Sequence, residues 1–504
     1  MTEGRIGKLV IVGGGTAGWM TAALLSKTFK GTLAITLVES DAIATIGVGE
    51  ATIPPILVFN EALKLDENDF LRRTQGTIKL GIEFQDWGRI GDRYMHAFGG
   101  IGHHHGLSPF VHYFLRSKAR GNADRLWDYS INERAARAGK FDRLARIEGT
   151  PLPGLNYAYH FDAGLYAKYL RGIAEQQGVN RREGKVVDFR LRGSDGFVEG
   201  LVMEDGGMIE GDIFVDCSGF RALLIDGAMG VPYIDWSGWL PCDRAVAVQS
   251  ENAGEPRPYT QSIAHQAGWQ WRIPLQHRTG NGHVFSSRYI DDEQATATLM
   301  ANLEGRPITD PRVIRFTTGR RETFWKKNVV AIGLSSGFLE PLESTSIHLI
   351  QSAAVKLATL FPDGSFNPAY VDEYNRQLTA EYDGIRDFII LHYHANERSD
   401  SAMWRDCREM SVPDSLARRI ALFRETARIF REQNELFHEV GWLQVMMGQN
   451  IEPRRYDHMA DALPEPELNE FLANLKIIMA GAVSRLPSHA EFLAQNCAAV
   501  AEAA

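Results

Sequence analysis

The sequence predicts an α/β fold in which a parallel-sheet core comes first, a β-rich region is interleaved with it, and a mainly helical region follows. Three observations predict this order. Residues 8–39 have the pattern of strand, glycine-rich turn, helix and strand; residues 243–317 alternate polar and apolar side chains; and the pattern from about Ala369 onward is mostly helical. We therefore assign residues 1–360 to the core with its β-rich region and residues 361–504 to the helical region.

Each predicted element has a local signal. Short apolar runs predict strands, apolar residues at helical spacing predict amphipathic helices, and glycine or proline marks the turns. The predicted strands are Lys8–Val12, Leu33–Val38, Gly76–Phe84 and Asn328–Ile332, with a hairpin-like segment over Val186–Asp216. The predicted helices are Trp19–Phe29, one within Thr52–Leu63, Asp162–Gln177 and one that begins at about Thr345, and His96–Gly106 is predicted as a loop.

Composition and charge exclude several classes of protein. The 504 residues carry a formal net charge of −9, which gives no positive surface for nucleic acid or an anionic membrane. No apolar stretch is long enough to span a bilayer, and no basic segment followed by an apolar run precedes the first strand, so we expect a cytoplasmic protein. The 4 cysteines lack metal-ligand or CxxC spacing, which predicts reduced structural thiols.

Histidine clusters do not predict a metal site. The adjacent side chains of His103-His104-His105 cannot easily converge on one ion, and no acidic or cysteine partner has suitable spacing. This triplet is better interpreted as part of a loop at the entrance of a site. His392 and His394 are predicted to be packing or surface residues.

A glycine fingerprint follows the first strand. In Gly13-x-Gly15-x-x-Gly18 the first glycine permits a tight turn, the second lets the backbone approach a pyrophosphate, and the third allows close packing of helix on strand. Glu39 ends the second strand, where an acid accepts hydrogen bonds from ribose hydroxyls. The order of these elements predicts a dinucleotide site in a Rossmann-like core.

Two later strands favour FAD over NAD, although the fingerprint alone fits both. Residues 211–219 and 328–333 each read as a strand ending in small residues, and flavoproteins of the two-dinucleotide-motif class return to the cofactor with such strands. No second complete GxGxxG is present, so no dedicated NAD(P)H domain is predicted. The reducing equivalents would then come from another protein.

Five motifs together resemble those of the flavin-dependent halogenases, the family named for tryptophan halogenase. The resemblance extends from Gly13 to at least Pro453. It implies a fold related to the flavin monooxygenases. The motifs are residues 13–19, residues 47–54, residues 76–81 around Lys79, Trp269-Gln270-Trp271-Arg272-Ile273-Pro274, and residues 337–345.

The resemblance also implies a reaction and its cofactors. FADH2 from a separate flavin reductase activates oxygen, chloride or bromide is converted to hypohalous acid, and the acid passes through an internal tunnel to an aromatic substrate such as an indole. Trp269 and Trp271 would lie beside the flavin and keep organic substrate away from the activated oxygen. From periodicity alone the same two residues could form the buried face of an ordinary strand. A homodimer is compatible with the family, but the sequence carries no interface signal.

Lys79 and Glu343 are the catalytic residues that the resemblance implies. Lys79 would bind hypohalous acid or form a haloamine, and so make the halogen more electrophilic. Glu343 would stabilise the cationic arenium intermediate, help place the electrophile or accept the ring proton. Periodicity alone leaves other options open, because Lys79 could be an exposed strand residue. Glu343 could likewise be an acid favoured by a helix N-terminus.

Further residues match family positions that bind halide or cofactor. Thr345 and Ser346 match positions whose backbone N–H groups hold halide, and Ser346 stands where some relatives carry glycine. Residues 47–54 match a strap that touches the flavin, although they could be a plain glycine loop before a proline-started helix. The implied cofactor-binding residues are Gly13, Gly15, Thr16, Ala17, Gly18, Glu39, Ile46, Gly47, Val48, Gly49, Glu50, Ala51, Val187, Gly333 and Leu334.

The implied substrate-binding residues are His96, Phe98, Ser344 and Trp442. His96 and Phe98 match positions that stack on an indole, although each could be a packed aromatic near a loop. Gly441 and Trp442 stand where tryptophan-specific members carry adjacent tyrosines, and losing two phenol donors should weaken recognition of a free amino acid. We therefore predict a substrate other than free tryptophan, such as an indole without that head group or a larger indole- or phenol-bearing molecule.

Two alternative functions compete with halogenation. A flavin monooxygenase would insert hydroxyl, but its relatives often carry Gly-Asp after the late strand, where this chain has Gly333-Leu334. A non-catalytic FAD-binding protein would need neither Lys79 nor Glu343. The Gly333-Leu334 pair and Lys79 both favour the halogenase interpretation.

Overall fold

The computed structural model describes residues 5–42, 49–432 and 435–499. The strands are β1 (Lys8–Val12), β2 (Ala34–Glu39), β3 (Glu50–Ala51), β4 (Thr77–Lys79), β5 (Gly81–Gln85), β6 (Arg93–Ala97), β7 (Ala158–Phe161), β8 (Asn180–Glu183), β9 (Val186–Leu191), β10 (Val198–Met203), β11 (Met208–Glu210), β12 (Ile213–Asp216), β13 (Tyr233–Asp235), β14 (Arg244–Ser250), β15 (Thr260–His265), β16 (Gly268–Pro274), β17 (Thr279–Phe285), β18 (Arg312–Arg315), β19 (Gly319–Arg321), β20 (Trp325–Lys326), β21 (Val329–Ala331) and β22 (Gly337–Phe338). The α-helices are α1 (Thr16–Phe29), α2 (Pro55–Leu63), α3 (Glu67–Arg73), α4 (Phe110–Ala119), α5 (Ile131–Arg137), α6 (Ala163–Gln176), α7 (Asp292–Ala301), α8 (Ser346–Thr359), α9 (Pro368–His394), α10 (Ala402–Glu409), α11 (Asp414–Thr426), α12 (Glu439–Gly448), α13 (Glu465–Ser484) and α14 (His489–Asn496).

The core is a parallel sheet with the strand order β20-β21-β12-β1-β2-β8, in which only β20 runs antiparallel to its neighbour. The central strand β1 is apolar along both faces, as expected when helices cover a parallel sheet on both sides. Helix α1 packs against α6 and α8. The α/β prediction with a Rossmann-like core is confirmed.

The β-rich region forms a seven-stranded sheet with the order β18-β14-β17-β16-β15-β5-β6. Its strands β14 to β18 come from the segment predicted to be β-rich, and β16 carries the tryptophan motif. Strand β5 joins the sheet by pairing parallel to β15. The sheet therefore connects the tryptophan motif to the segment that follows Lys79.

The prediction of one strand over Gly76–Phe84 is wrong. The chain breaks at Leu80 into β4, which pairs with β7, and β5, which pairs with β6 and β15 in a different sheet. A Cβ at Gly81 would lie 2.6 Å from the backbone oxygen of His96, so this residue has to be glycine for the two strands to approach. Both strands are buried on both sides, and alternation therefore does not expose Lys79.

The hairpin-like segment over Val186–Asp216 also divides. Strands β9, β10 and β11 form a small antiparallel sheet, whereas β12 leaves it and enters the parallel core beside β1.

From α8 onward the described chain is helical, and the 27-residue helix α9 runs through this region. In the part of the chain that the structure describes, no helix combines the length and apolar character needed to cross a membrane.

Candidate active site

The glycine fingerprint lies at the turn between β1 and α1. Gly13 has a φ of +112°, and a Cβ there would lie 2.2 Å from the backbone oxygen of Cys217. A Cβ at Gly18 would lie 1.9 Å from the oxygen of Gly13, so helix and turn can pack only without a side chain. Gly15 is the N-cap of α1 and faces open space, which leaves the start of the helix accessible to an anion.

Glu39 ends β2 beside this turn. Its Oε1 accepts a hydrogen bond from Arg181 Nε at 2.5 Å, and its Oε2 accepts one from Trp19 Nε1 at 3.4 Å. The carboxylate is therefore held next to Gly14, where a Cβ would collide with it. This is the position at which an acid can accept hydrogen bonds from a ribose.

The other predicted cofactor residues differ in how close they lie to the glycine turn. Gly333 has a φ of +80°, and a Cβ there would lie 2.8 Å from the Cβ of Ala17, which places Gly333 against the start of α1. Leu334 follows it in the short 3-10 helix Gly333–Ser335. Val187 is 58% exposed on β9, four residues beyond Glu183, the partner of Glu39 in the sheet. Thr16 begins α1.

Part of the predicted strap is described. Ile46, Gly47 and Val48 lie outside the described residues. Gly49 has a φ of +93°, and Glu50 and Ala51 form β3, which pairs with β7. Burial, together with the negative charge of Asp162, raises the pKa of Glu50 to about 7. The described end of the strap therefore joins the same small sheet as Lys79.

Lys79 lies at the end of β4 and is completely buried. Its ammonium donates a hydrogen bond to Ser344 Oγ at 2.7 Å and lies 5.3 Å from the ring centroid of Phe98. Burial lowers the pKa of Lys79 to about 7, although the carboxylate of Glu343 opposes this shift. The exposed-strand alternative is excluded by this burial.

Glu343 is held between two histidines. His96 Nδ1 lies 2.8 Å from Oε2 and His392 Nε2 lies 2.8 Å from Oε1. Burial raises the pKa of Glu343, but the charge of His96 and the contacts with both histidines outweigh it and hold that pKa at about 2. The carboxylate therefore stays ionised although its side chain is only 1% exposed.

His392 is a site residue that the sequence analysis missed. It is fully buried in the last turn of α9, and its Nδ1 donates a hydrogen bond to Phe388 O at 2.8 Å while Nε2 faces Glu343. His392 is thus buried and packed, as one of the two predicted options has it, but its contact with Glu343 was not predicted. The available signal was an ionisable residue within the apolar run Phe388–Tyr393, because such residues are rarely buried without a partner.

The predicted halide residues lie where α8 begins. Thr345 is the N-cap and Ser346 the first helical residue, next to the one-turn 3-10 helix Pro341–Glu343. Thr345 is fully buried, and its Oγ1 has no hydrogen-bond partner within the described ranges. Ser344 adopts a φ of +58°, which turns the chain between Glu343 and the helix. The backbone N–H groups at the start of a helix suit an anion.

The tryptophan motif is tied to the segment that carries Glu343. Trp269 and Trp271 lie on one face of β16 and are buried, with ring centroids 6.1 Å apart. Trp269 Nε1 donates to Glu340 Oε2 at 2.9 Å, and Tyr393 Oη donates to the same oxygen at 2.5 Å. Burial raises the pKa of Glu340 to about 7 despite these hydrogen bonds.

The tryptophan motif is also tied to the strand of Lys79. The carbonyl oxygen of Pro274, the last residue of the motif, accepts a hydrogen bond from Thr77 Oγ1 at 2.6 Å. Thr77 lies two residues before Lys79 in β4.

An aromatic cluster lies beside the two histidines. The Phe388 ring centroid is 5.5 Å from His96, 3.8 Å from Phe437 and 4.7 Å from Trp442. Arg419 lies over the Trp442 ring at 4.0 Å and forms a two-point ion pair with Glu435. These rings form an aromatic wall beside the two histidines.

We expect Gly441→Ala to lower turnover about tenfold, because a small displacement of a reactive group can cost up to about 100-fold in rate. A Cβ at Gly441 would lie 3.0 Å from Nε2 of His96 and would push the ring from its contact with Glu343. Turnover and flavin affinity should be measured together, with Gly172→Ala as the control, since a Cβ at Gly172 meets nothing within 4 Å. Equal turnover in wild type and Gly441→Ala would contradict this tight fit.

Comparisons with known proteins give one consistent result. The family model described as tryptophan halogenase matches residues 8–465. Tryptophan 6-halogenase of Streptomyces toxytricini is 39% identical over 82% of this chain and 83% of that protein. Tryptophan 7-halogenase of Lentzea aerocolonigenes is 34% identical over 98% of this chain and 99% of its own length.

Solved structures agree with the sequence comparisons. A flavin-dependent halogenase from Xanthomonas campestris is 49% identical, with a TM-score of 0.96 over 99% of this chain and 100% of that one. A flavin-dependent halogenase from Brevundimonas sp. BAL3 is 48% identical, with a TM-score of 0.94 over 97% of this chain and 99% of that one.

Proposed function

The chain belongs to the tryptophan halogenase family and is a flavin-dependent halogenase, and from this premise we propose that it uses FADH2, oxygen and chloride or bromide to halogenate an electron-rich aromatic ring such as an indole. The observation that carries the proposal is the buried Lys79 ammonium, which lies 2.7 Å from the Oγ of Ser344, the residue that follows Glu343 in the chain. A separate flavin reductase would supply the reduced cofactor.

The residues of the fingerprint fit FAD. Only glycine is accommodated at Gly13 and Gly18, the open space at Gly15 leads to the start of α1, and Glu39 lies beside the same turn. These residues would hold the pyrophosphate and a ribose. Bound in reduced form, the cofactor supplies the oxygen activation that converts halide into hypohalous acid.

Lys79 would orient and activate the hypohalous acid. A buried ammonium is a stronger hydrogen-bond donor than an exposed one, because water does not compete for it. Donation to the oxygen of the hypohalous acid polarises the O–halogen bond and makes the halogen more electrophilic. Ser344 Oγ, at 2.7 Å, would hold the ammonium in place.

Glu343 would act mainly through its negative charge. A carboxyl group with a pKa of about 2 is a weak base, so electrostatic stabilisation of the cationic ring intermediate is favoured over proton acceptance as its larger contribution. His96 and His392 would fix both oxygens and so hold the charge in one position. Thr345 and Ser346, at the start of α8, would offer backbone N–H groups to the halide.

The buried ion pair beside the aromatic wall supports a substrate other than free tryptophan. Arg419 and Glu435 are both largely buried and bind each other through two contacts, at 2.7 and 3.1 Å. A free amino acid would need partners for both its ammonium and its carboxylate, and breaking a buried pair to supply them is costly. An indole without that head group, or a larger indole- or phenol-bearing molecule, requires no such exchange.

We expect halogenated indole from a mixture of the protein, FAD, NADH, a flavin reductase, oxygen and indole, tested separately with chloride and bromide. The specificity constant for indole should exceed that for tryptophan by about tenfold or more, because Arg419 and Glu435 would have to give up their pair before they could bind the amino-acid head group. Mass spectrometry identifies the halogen by its isotope pattern.

The same measurement separates the alternatives. A product heavier by one oxygen and free of halogen would favour the hydroxylase. Turnover of tryptophan far above that of indole would contradict the proposed substrate preference while leaving the halogenase activity in place.

A further inference from the structure

Lys79 belongs to an edge strand that lacks a strand partner on one side. The small sheet has the order β3-β7-β4, so β4 pairs with β7 along one edge only. The strand is three residues long, and each of them is buried. Buried backbone N–H groups on the open edge need acceptors from elsewhere in the chain.

The segment around Pro256 and Pro258 supplies those acceptors. Leu80 N–H donates directly to Pro258 O at 2.8 Å. Ile78 N–H instead donates to Nε2 of His489 at 3.1 Å, and Nδ1 of the same ring donates to Pro256 O at 2.7 Å. The imidazole therefore bridges two backbone segments at the point where a strand-to-strand hydrogen bond is missing.

Only the neutral ring with its proton on Nδ1 fits this bridge. Pro256 O can only accept, and Ile78 N–H can only donate, so Nδ1 must carry the proton and Nε2 must not. Burial lowers the pKa of His489 to about 4, which keeps the ring neutral near neutral pH. A second proton would point toward the N–H of Ile78 and break the bridge.

The backbone that carries the His489 ring is also held in place. The residue begins α14, and its own N–H donates to Gly139 O at 2.8 Å. Ser488 and Glu491 form a capping box at this helix start. The ring is 1% exposed, so its orientation is determined by packing as well as by its two hydrogen bonds.

We propose that His489 is a positioning residue for Lys79, which fixes the backbone of β4 so that the ammonium reaches Ser344. The proposal rests on the proposed function, in which Lys79 acts on the halogenating species. Thr77 anchors the same strand to the tryptophan motif, and His489 anchors it to the C-terminal helix. The adjacent residue, Ile78, is the donor, so a shift of its backbone is transmitted directly to Lys79.

Two substitutions separate the two hydrogen bonds of the ring. In His489→Asn the amide N–H can replace Nδ1 and keep the bond to Pro256, but no atom reaches Ile78. In His489→Gln the side-chain oxygen can replace Nε2 and keep the bond from Ile78. Glu491→Ala is the matched control, because it removes part of the helix cap without touching β4.

Two readouts test the proposal. In His489→Asn we expect the halogenated product formed per NADH consumed to fall about tenfold, while His489→Gln and Glu491→Ala stay within about threefold of wild type. Hydrogen exchange of peptides covering residues 76–80 should accelerate in His489→Asn alone. Flavin affinity should be the same in all four proteins.

The outcomes are distinct. Unchanged product yield in His489→Asn would overturn the proposal, as would equal losses in both histidine variants with unchanged exchange at residues 76–80. If His489→Asn does not fold, comparison of His489→Gln with Glu491→Ala decides: the proposal fails if the glutamine variant loses more yield than the cap variant. A wild-type protein that forms no halogenated product would instead refute the proposed function, while the exchange data would still report the contact with Ile78.

Discussion

Replacing Lys79 with methionine is expected to abolish halogenation while leaving flavin binding unchanged. Methionine has a similar length and is apolar, so it suits a fully buried position without donating a hydrogen bond. Removal of a single donor to a reacting centre costs about 100- to 1000-fold in rate. The lost ammonium should therefore reduce product below detection in a standard assay, and burial of an apolar side chain should preserve or raise the thermal stability.

Product yield, peroxide release and flavin affinity should be measured on Lys79→Met together with Lys118→Met. Lys118 is exposed and forms a surface ion pair with Glu452, so its variant should match wild type. The halogenation rate of wild type should also fall as the pH rises above about 7, because the lowered pKa of Lys79 means that the ammonium donor is lost in this range. A rate that increases with pH would favour a haloamine formed by the neutral amine. Substantial halogenation by Lys79→Met would refute the assigned role.

Replacing Glu343 with glutamine is expected to lower turnover by at least about 100-fold. The amide has the same shape but no charge, so it cannot stabilise a cationic ring intermediate. It also presents an N–H group to one of the two histidines that now face carboxylate oxygens at 2.8 Å. We therefore expect a lower melting temperature as well, because a buried histidine loses its acceptor.

Glu381→Gln provides a control for the loss of stability. Glu381 is a largely buried carboxylate that binds His348 at 2.7 Å and Lys356 at 2.9 Å. Its substitution should destabilise the protein to a similar extent without changing the product formed per NADH. A Glu343→Gln enzyme with near wild-type turnover would show that the charge has no role in catalysis.

Some parts of the site could be predicted because the residues that mark them are close together in the sequence. The strand-glycine-helix order around Gly13 and the acid at Glu39 are contiguous patterns with one structural interpretation, and the structure has them together. The start of α8 lies within one residue of its predicted position because Pro341 and the run that follows it mark a helix entry locally. The roles of these residues remain predictions.

Other features depend on contacts between distant segments. His392 lies in a helix whose sequence gives no sign of its partner, because Glu343 is 49 residues away and meets it only after folding. The break at Leu80 is likewise invisible to alternation, since the apolar residues Ile78, Leu80 and Ile82 keep the same spacing across it and both strands are buried. The partner of His489 is 411 residues away. Periodicity reports which faces are buried, but it does not report which segment covers them.

The hydrogen bond from Trp269 to Glu340 has a consequence for directed evolution of this chain. A change at Glu340 alone would leave the buried Trp269 Nε1 without its acceptor, which costs about 1–3 kcal/mol, and a change at Trp269 alone would leave Glu340 Oε2 with one donor, Tyr393 Oη, instead of two. Single-site libraries at either position should therefore discard variants that would be tolerated in combination. Libraries that vary both positions at once would sample pairs of side chains at Trp269 and Glu340 that stepwise selection does not reach.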